Sequence, residues 1–256
     1  MQVFPMTGLA LENPPVVETS LGIQFSDLSG WSLLHHGLFY SAISERFPIY
    51  KAREPFPVLI ETFPISQKVG VIKFSSGVAD CRAEYASEDE SMLVSIQKNR
   101  FSFHWNRSPD GGYPRYETNS EVCKSEYNAF VEFCQRENLG AVKPVLCEAM
   151  YLNRISPRPN ETLSEMCERI FTLSLGEFEA TTVNRTYILD ENRGRLYAEI
   201  NTSVVDQGDV TFKITSRVRH LSGEVMDTMD IAHNWLIEKF CELTTETARK
   251  ERWLQK

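Results

Sequence analysis

The chain has 256 residues, 42% of them hydrophobic and 24% charged, so it can bury one large core or two smaller ones and is neither fibrous nor disordered. A formal charge of −8 argues against a protein that coats nucleic acid by bulk charge, which needs an excess of Lys and Arg facing phosphates; a local basic groove stays open. Cysteines 81, 123, 134, 147, 167 and 241 form no C-x-x-C pair, which predicts reduced and mostly buried thiols.

Residues 1–13 read as a flexible leader. Asn13-Pro14-Pro15, flanked by Glu12 and Glu18, interrupts anything like a secretory signal, and no run approaches the roughly eighteen apolar residues that span a bilayer. Cytoplasmic residence with no membrane association follows as an expectation. Pro14-Pro15 then feeds a first strand, Val16 to Phe25. From Trp31 to Phe47, residues Trp31, Leu34, Leu38, Ile43 and Phe47 fall near a helical repeat that Pro48 stops. Between Ile49 and Ala79, prolines 55, 57 and 64 punctuate short apolar runs, which fits edge strands or a long excursion. Strands are predicted at Cys81 to Ala86 and Met92 to Trp105, ended by the turn residues Ser108-Pro109-Asp110-Gly111-Gly112. A helix from about Ser120 to Asn138 follows, with Gly140 beyond its C-terminus.

The order then repeats. Val145 to Ile155 reads as a strand and Glu161 to Leu173 as a helix. Glu179 to Leu189, Arg195 to Val205 and Val210 to His220 read as strands separated by turn chemistry. Asp227 to Trp253 reads as one closing helix with Ile231, Leu236, Phe240 and Leu243 inward. Val17-Glu18-Thr19-Ser20-Leu21 has the layout of Cys147-Glu148-Ala149-Met150-Tyr151. The run Tyr127 to Cys134 matches His233 to Cys241, allowing one extra residue. About two dozen extra residues in the first half then fall in the proline-punctuated 49–79 segment. The expected fold class is α+β in two related halves, 14–140 and 141–256, each an antiparallel sheet covered by helices in the order strand, helix, strands, helix.

Asn13-Pro14-Pro15-Val16-Val17-Glu18, Phe103-x-Trp105 before Tyr113-Pro114, Met150-Tyr151-Leu152-Asn153-Arg154-Ile155, and Asp230-x-Ala232-His233-x-Trp235 with Phe240 and Leu243-Thr244 together resemble a sporadically distributed family of uncharacterised prokaryotic proteins. The resemblance runs from residue 13 to Trp253. It implies no reaction or ligand, and its patchy distribution implies genes that travel with mobile elements or defence loci.

Few residues advertise chemistry. His35 and His36 are adjacent, and adjacent helical residues point about a hundred degrees apart, so the two are read as structural. His104 should face opposite to Phe103 and Trp105 and stand exposed at a strand end. His233 is expected near a helix N-terminus, neutral and bonded to a backbone group. Glu18 and Glu148 occupy matching positions on the two first strands, where a shared-proton pair would be one arrangement and separate salt bridges the favoured one. Arg185, Arg193, Arg195, Lys213, Arg217 and Arg219 form a candidate basic interaction face, with 213, 217 and 219 on one side of a strand. Phosphate-loop, dinucleotide, zincin and hydrolase-elbow motifs are missing from the sequence.

Taken together, the sequence points to a non-catalytic binding or regulatory subunit with a protein partner and no cofactor. A hydrolytic enzyme with carboxylates meeting between the halves is the first alternative. A nucleic-acid binder using the 185–219 face is the second.

Overall fold

The computed structural model describes residues 10–63, 81–109, 111–176, 178, 180–189, 192–202 and 208–255. Its strands are β1 (Val16–Phe25), β2 (Ile49–Arg53), β3 (Arg82–Ala86), β4 (Met92–Gln97), β5 (Arg100–Asn106), β6 (Pro144–Ile155), β7 (Thr181–Ile188), β8 (Gly194–Thr202) and β9 (Val210–Arg219). They form one nine-stranded sheet in the order β2-β3-β4-β5-β1-β6-β9-β8-β7, with every pairing antiparallel. The helices are α1 (Leu34–Ile43), α2 (Arg115–Arg136), α3 (Leu163–Ile170), α4 (Val225–Leu243) and α5 (Glu246–Arg252). The fold is α+β, and among the described residues no helix is long and apolar enough to cross a membrane.

Alternation along the strands fills the core. Leu21, Ile23 and Phe25 of β1 share a face with Phe101 and Phe103 of β5, Cys147 and Ala149 of β6, and Phe212 and Ile214 of β9, and all are buried. The helices cover this face. Phe130 of α2 meets Phe25, Trp31, Phe39 and Phe101 at ring-centroid distances of 5.6–6.0 Å, and Phe240 of α4 stacks on Phe212 at 5.9 Å. Such contacts between tilted or offset rings add to the burial of large apolar areas. All six cysteines are free thiols, four of them buried.

The two chain segments 14–140 and 141–256 do not form separate sheets. β1 and β6 lie side by side at the centre, with Leu21 opposite Ala149, so the segments share one sheet.

The structure corrects four expectations about elements. Met92 to Trp105 is a hairpin, β4 and β5, in which Gln97 pairs with Arg100 across Lys98-Asn99; without Gly or Pro, the turn is stabilised by side-chain bonds from Gln97 Nε2 to Asn99 Oδ1 at 2.7 Å and from Asn99 Nδ2 to Asp27 at 3.0 Å. The closing helix is two helices, because Thr244 is extended and Thr245 caps α5 by accepting from the Ala248 N–H at 3.1 Å. Ile231 is half-buried, while Met229 and Ala232 take the inward positions beside Leu236, Phe240 and Leu243. Of the leader, residues 10–13 are described and attached: Leu11 is buried and bridges to Gln255, and the Asn13 N–H donates to Trp253 O. Residues 1–9, like 64–80 of the proline-punctuated stretch, lie outside the described residues.

Candidate binding face

The same alternation that buries the apolar side chains puts polar ones on the face away from the helices. In register across the centre stand Gln97 of β4, Arg100 and Ser102 of β5, Gly22 and Gln24 of β1, Glu148 of β6, Arg217 of β9 and Arg195 of β8. Gln24, Gln97, Ser102, Arg100, Glu148 and Arg195 are nevertheless buried. Buried polar groups need partners, and here the chain supplies them itself.

Residues 54–63, which follow β2, cross this face as an extended strap. Gln97 grips Phe56 at both main-chain groups: the Phe56 N–H donates to Gln97 Oε1 at 2.8 Å, and Gln97 Nε2 donates to Phe56 O at 3.0 Å. Gln24 does the same to Leu59, accepting its N–H at 2.7 Å and donating to its carbonyl at 2.8 Å. Two side-chain amides thus do for Phe56 and Leu59 what the main chain of a neighbouring strand does elsewhere in the sheet. The Phe56 ring lies under the guanidinium of Arg82 at 3.7 Å and near that of Arg100 at 4.9 Å, and Phe63 lies under Arg195 at 4.1 Å.

Glu61 ends the crossing. Its carboxylate accepts from Arg195 and from the Tyr197 hydroxyl at 2.8 Å, and Arg217 approaches at 3.7 Å. Arg217 also donates to Glu148 at 2.6 Å, and Arg100 binds the other oxygen of Glu148. To reach Glu148 on β6, Arg100 on β5 must cross β1, and Gly22 makes room: a Cβ there would sit 3.1 Å from the Arg100 guanidinium. Burial pushes the Glu148 carboxyl up, but Arg100 and Arg217 outweigh it and hold it below the usual carboxylate range. The result is a connected chain, Arg100, Glu148, Arg217, Glu61 and Arg195, drawn from four strands and the strap.

Glu18 and Glu148 share this face, but Glu18 is opposite Leu152 and Glu148 opposite Gly22, four residues along the strands, or about 13 Å. The two carboxylates do not meet. Glu18 is raised by burial, with Lys213 acting against the shift. His104 points away from Phe103 and Trp105 as alternation requires, yet it is not exposed: it is mostly buried beside Ser102, with Nε2 3.1 Å from Ser102 Oγ. Burial, with Arg100 and Arg82 nearby, pushes its pKa down to about 3. Alternation fixed its direction but not what lay on that side.

The basic residues divide. Arg195 and Arg217 are engaged by Glu61 and Glu148. Arg185 is opposite Ala198 and so lies on the helix-covered face of the edge strand β7. Arg193 sits beyond β7, where its carbonyl accepts the Arg219 N–H at 2.9 Å. Lys213 and Arg219 are exposed but stand six residues apart, about 20 Å along β9. No continuous cationic surface results.

His233 lies inside α4 rather than at its N-terminus, and among the described residues no backbone group is its hydrogen-bond partner. It stacks on Tyr116 of α2 at 3.6 Å and 3°, and burial pushes its pKa down to about 4. The Tyr116 hydroxyl donates to Asp230 at 2.6 Å, so the pair joins α2 to α4. His35 bonds to Ser32, and His36 is buried edge-on to Trp31. Among the described residues, no group of three His, Cys, Asp or Glu side chains is placed to hold a metal ion.

Sequence reasoning missed Gln24, Gln97, Gly22 and Glu61. The available signal was a glutamine on the polar side of two strands that are otherwise rich in apolar residues. Compared with known proteins, the chain matches no family model and no curated relative.

Proposed function

We propose that the protein is a non-catalytic binding subunit of a larger assembly and that the strap is its recognition element. The observation that carries this reading is that the strap is fixed from below while Val58 and Ile60 stand 56% and 58% exposed. Leu59 between them is bound through its main chain, so in an extended segment Val58 and Ile60 share one side. Pro55 and Pro57 restrict the backbone further, leaving less conformational freedom to lose on binding. Two apolar side chains at alternate positions on a preformed extended segment fit a protein partner with an apolar groove, the mode in which pockets read every second side chain.

The competing readings have less support. A hydrolytic mechanism using Glu18 and Glu148 lacks the close approach that would share a proton between them. Binding of phosphates would rest on the separated Lys213 and Arg219.

We also read residues 14–140 and 141–256 as related halves. Each runs strand, helix, strands, helix, and the order β5-β4-β3 on one side of the β1–β6 seam answers β9-β8-β7 on the other, which supports that reading. β2 and the strap are then the addition that distinguishes the first half.

The test is recovery of partners from the protein's native cells with wild type, a Val58→Asp/Ile60→Asp variant and a Lys213→Ala/Arg219→Ala variant. The reading expects one protein recovered in stoichiometric amount with wild type and with the Lys213/Arg219 variant. Loss of at least tenfold is expected with the Val58/Ile60 variant, at an unchanged melting temperature. Equal recovery with all three would overturn the strap as recognition element. Loss confined to the Lys213/Arg219 variant would move recognition to the basic positions.

A further inference from the structure

On the helix-covered face, Asn153 of β6 is 1% exposed. Its Nδ2 donates to Phe212 O at 2.9 Å, whereas its Oδ1 has no hydrogen-bond partner among the described residues. An acceptor buried without a donor costs about 1–3 kcal/mol, so its neighbourhood should explain it. Asn153 lines a cavity of about 50 Å³ together with Tyr113, Arg115, Tyr151, Pro14, Leu236 and Phe240. The space exceeds what a single water needs.

The chemistry of the walls is specific. The Tyr113 and Tyr151 hydroxyls are 2.6 Å apart. Two phenols carry two hydrogens, and only one can lie between the oxygens, so the second is left to donate elsewhere. Burial raises both phenols above their ordinary range, so they are neutral donors, and the same burial keeps neighbouring His233 uncharged. The cavity therefore offers one unused acceptor and one unused donor among largely apolar walls, with the exposed Arg115 as their charged member. Its walls come from distant segments: Pro14, Tyr113 and Arg115 at the start of α2, β6 and α4.

We infer that this cavity binds the head of a small neutral molecule that both donates and accepts hydrogen bonds, a primary carboxamide or an alcohol, with Asn153 Oδ1 taking its donor and the spare tyrosine hydroxyl its acceptor. A carboxylate has no hydrogen to give Asn153, and an ammonium has no acceptor for the phenol. The charged side chain among the lining residues is Arg115, which is exposed to solvent: an ammonium finds no carboxylate there, and a carboxylate drawn to Arg115 would still set its oxygens against the Asn153 acceptor. The inference is independent of the strap, which lies on the other face of the sheet.

Acetamide, with acetate and ethylammonium as charged counterparts, tests it by titration followed in amide-resolved NMR spectra. Acetamide should shift the Asn153 side-chain and Tyr151 resonances saturably, with at least fivefold tighter binding than either charged probe. Tyr151→Phe and Tyr113→Phe should each weaken acetamide at least threefold while leaving the rest of the spectrum in place, and the Val58→Asp/Ile60→Asp variant should bind it as wild type does. No saturable shift, an equal response to acetate or ethylammonium, or unchanged binding by a folded Tyr→Phe variant would overturn the assignment. So would a crystal soaked in acetamide in which ordered water keeps the cavity.

Discussion

On one side of the sheet, Phe25, Phe101 and Phe212 meet helices through aromatic rings; on the other, one residue further along the same strands, Gln24 and Arg100 meet a strap through amides and charge. Both sides are buried, but they tolerate change differently. The helix-covered side is close-packed and indifferent to direction, so its cost of damage scales with the volume removed. The strap side is directional, so its cost depends on which partner is left behind. An alternating strand with a polar side therefore need not present that side to water.

The largest effect should come from the packed side. Phe130→Ala removes the ring shared by Phe25, Trp31, Phe39 and Phe101, and should lower unfolding free energy by about 3–5 kcal/mol in denaturant titration. A loss below about 1 kcal/mol would mean that this aromatic cluster is not the centre of the core.

Next comes the charged side. Glu148→Gln leaves Arg100, 6% exposed, without its carboxylate and should cost about 3 kcal/mol, even though the substitution changes almost no volume. Glu148→Gln behaving like an exposed surface change, within about 0.5 kcal/mol, would show that the buried pair is not formed.

Acid should act on both sides. His104 and His233 have folded pKa values near 3 and 4, below the ordinary 6.5, so the unfolded chain takes up their protons first. Their contribution is therefore complete above about pH 6.5 and is lost as pH falls toward the folded values, at up to about 1.4 kcal/mol per pH unit for each histidine. Glu148, held low, adds its own loss only below the ordinary carboxylate range near 4.5. His104→Gln and His233→Phe should each flatten the stability profile between about pH 6 and pH 5. A profile unchanged by both substitutions would show that these histidines protonate in the folded protein.

Much of the architecture was legible because it depends on local pattern. Val16 to Phe25, Val145 to Ile155 and Val210 to His220 announce strands through β-branched and aromatic residues, and β1, β6 and β9 agree with them to within a residue. The hairpin at Lys98-Asn99 was hidden because strand-like runs, Leu93-Val94-Ser95-Ile96 and Phe101-Ser102-Phe103, flank it on both sides and the polar Gln97-Lys98-Asn99-Arg100 between them lacks the Gly or Pro that marks a turn. Thr245-x-x-Ala248, which starts α5, was hidden inside a stretch whose composition suits a helix on both sides. The strap side was illegible for a different reason. Gln24 and Leu59 are 35 positions apart, and Glu61 and Arg195 are 134 apart, so neither partner carries a local trace of the other. His104 shows the boundary well: its side of the strand followed from alternation, but its burial depended on residues brought there by the fold.

The smallest energetic effect gives the most direct test that the strap closes this face. The Phe56 and Leu59 amide hydrogens should exchange slowly in the native protein because Gln97 and Gln24 accept them. Gln24→Leu should cost only about 1 kcal/mol globally yet speed exchange at Leu59 by at least tenfold, leaving Phe56 less affected. Exchange at Leu59 as fast as in an unstructured peptide in the wild-type protein, or unchanged by Gln24→Leu, would contradict a strap held by its main chain against the sheet.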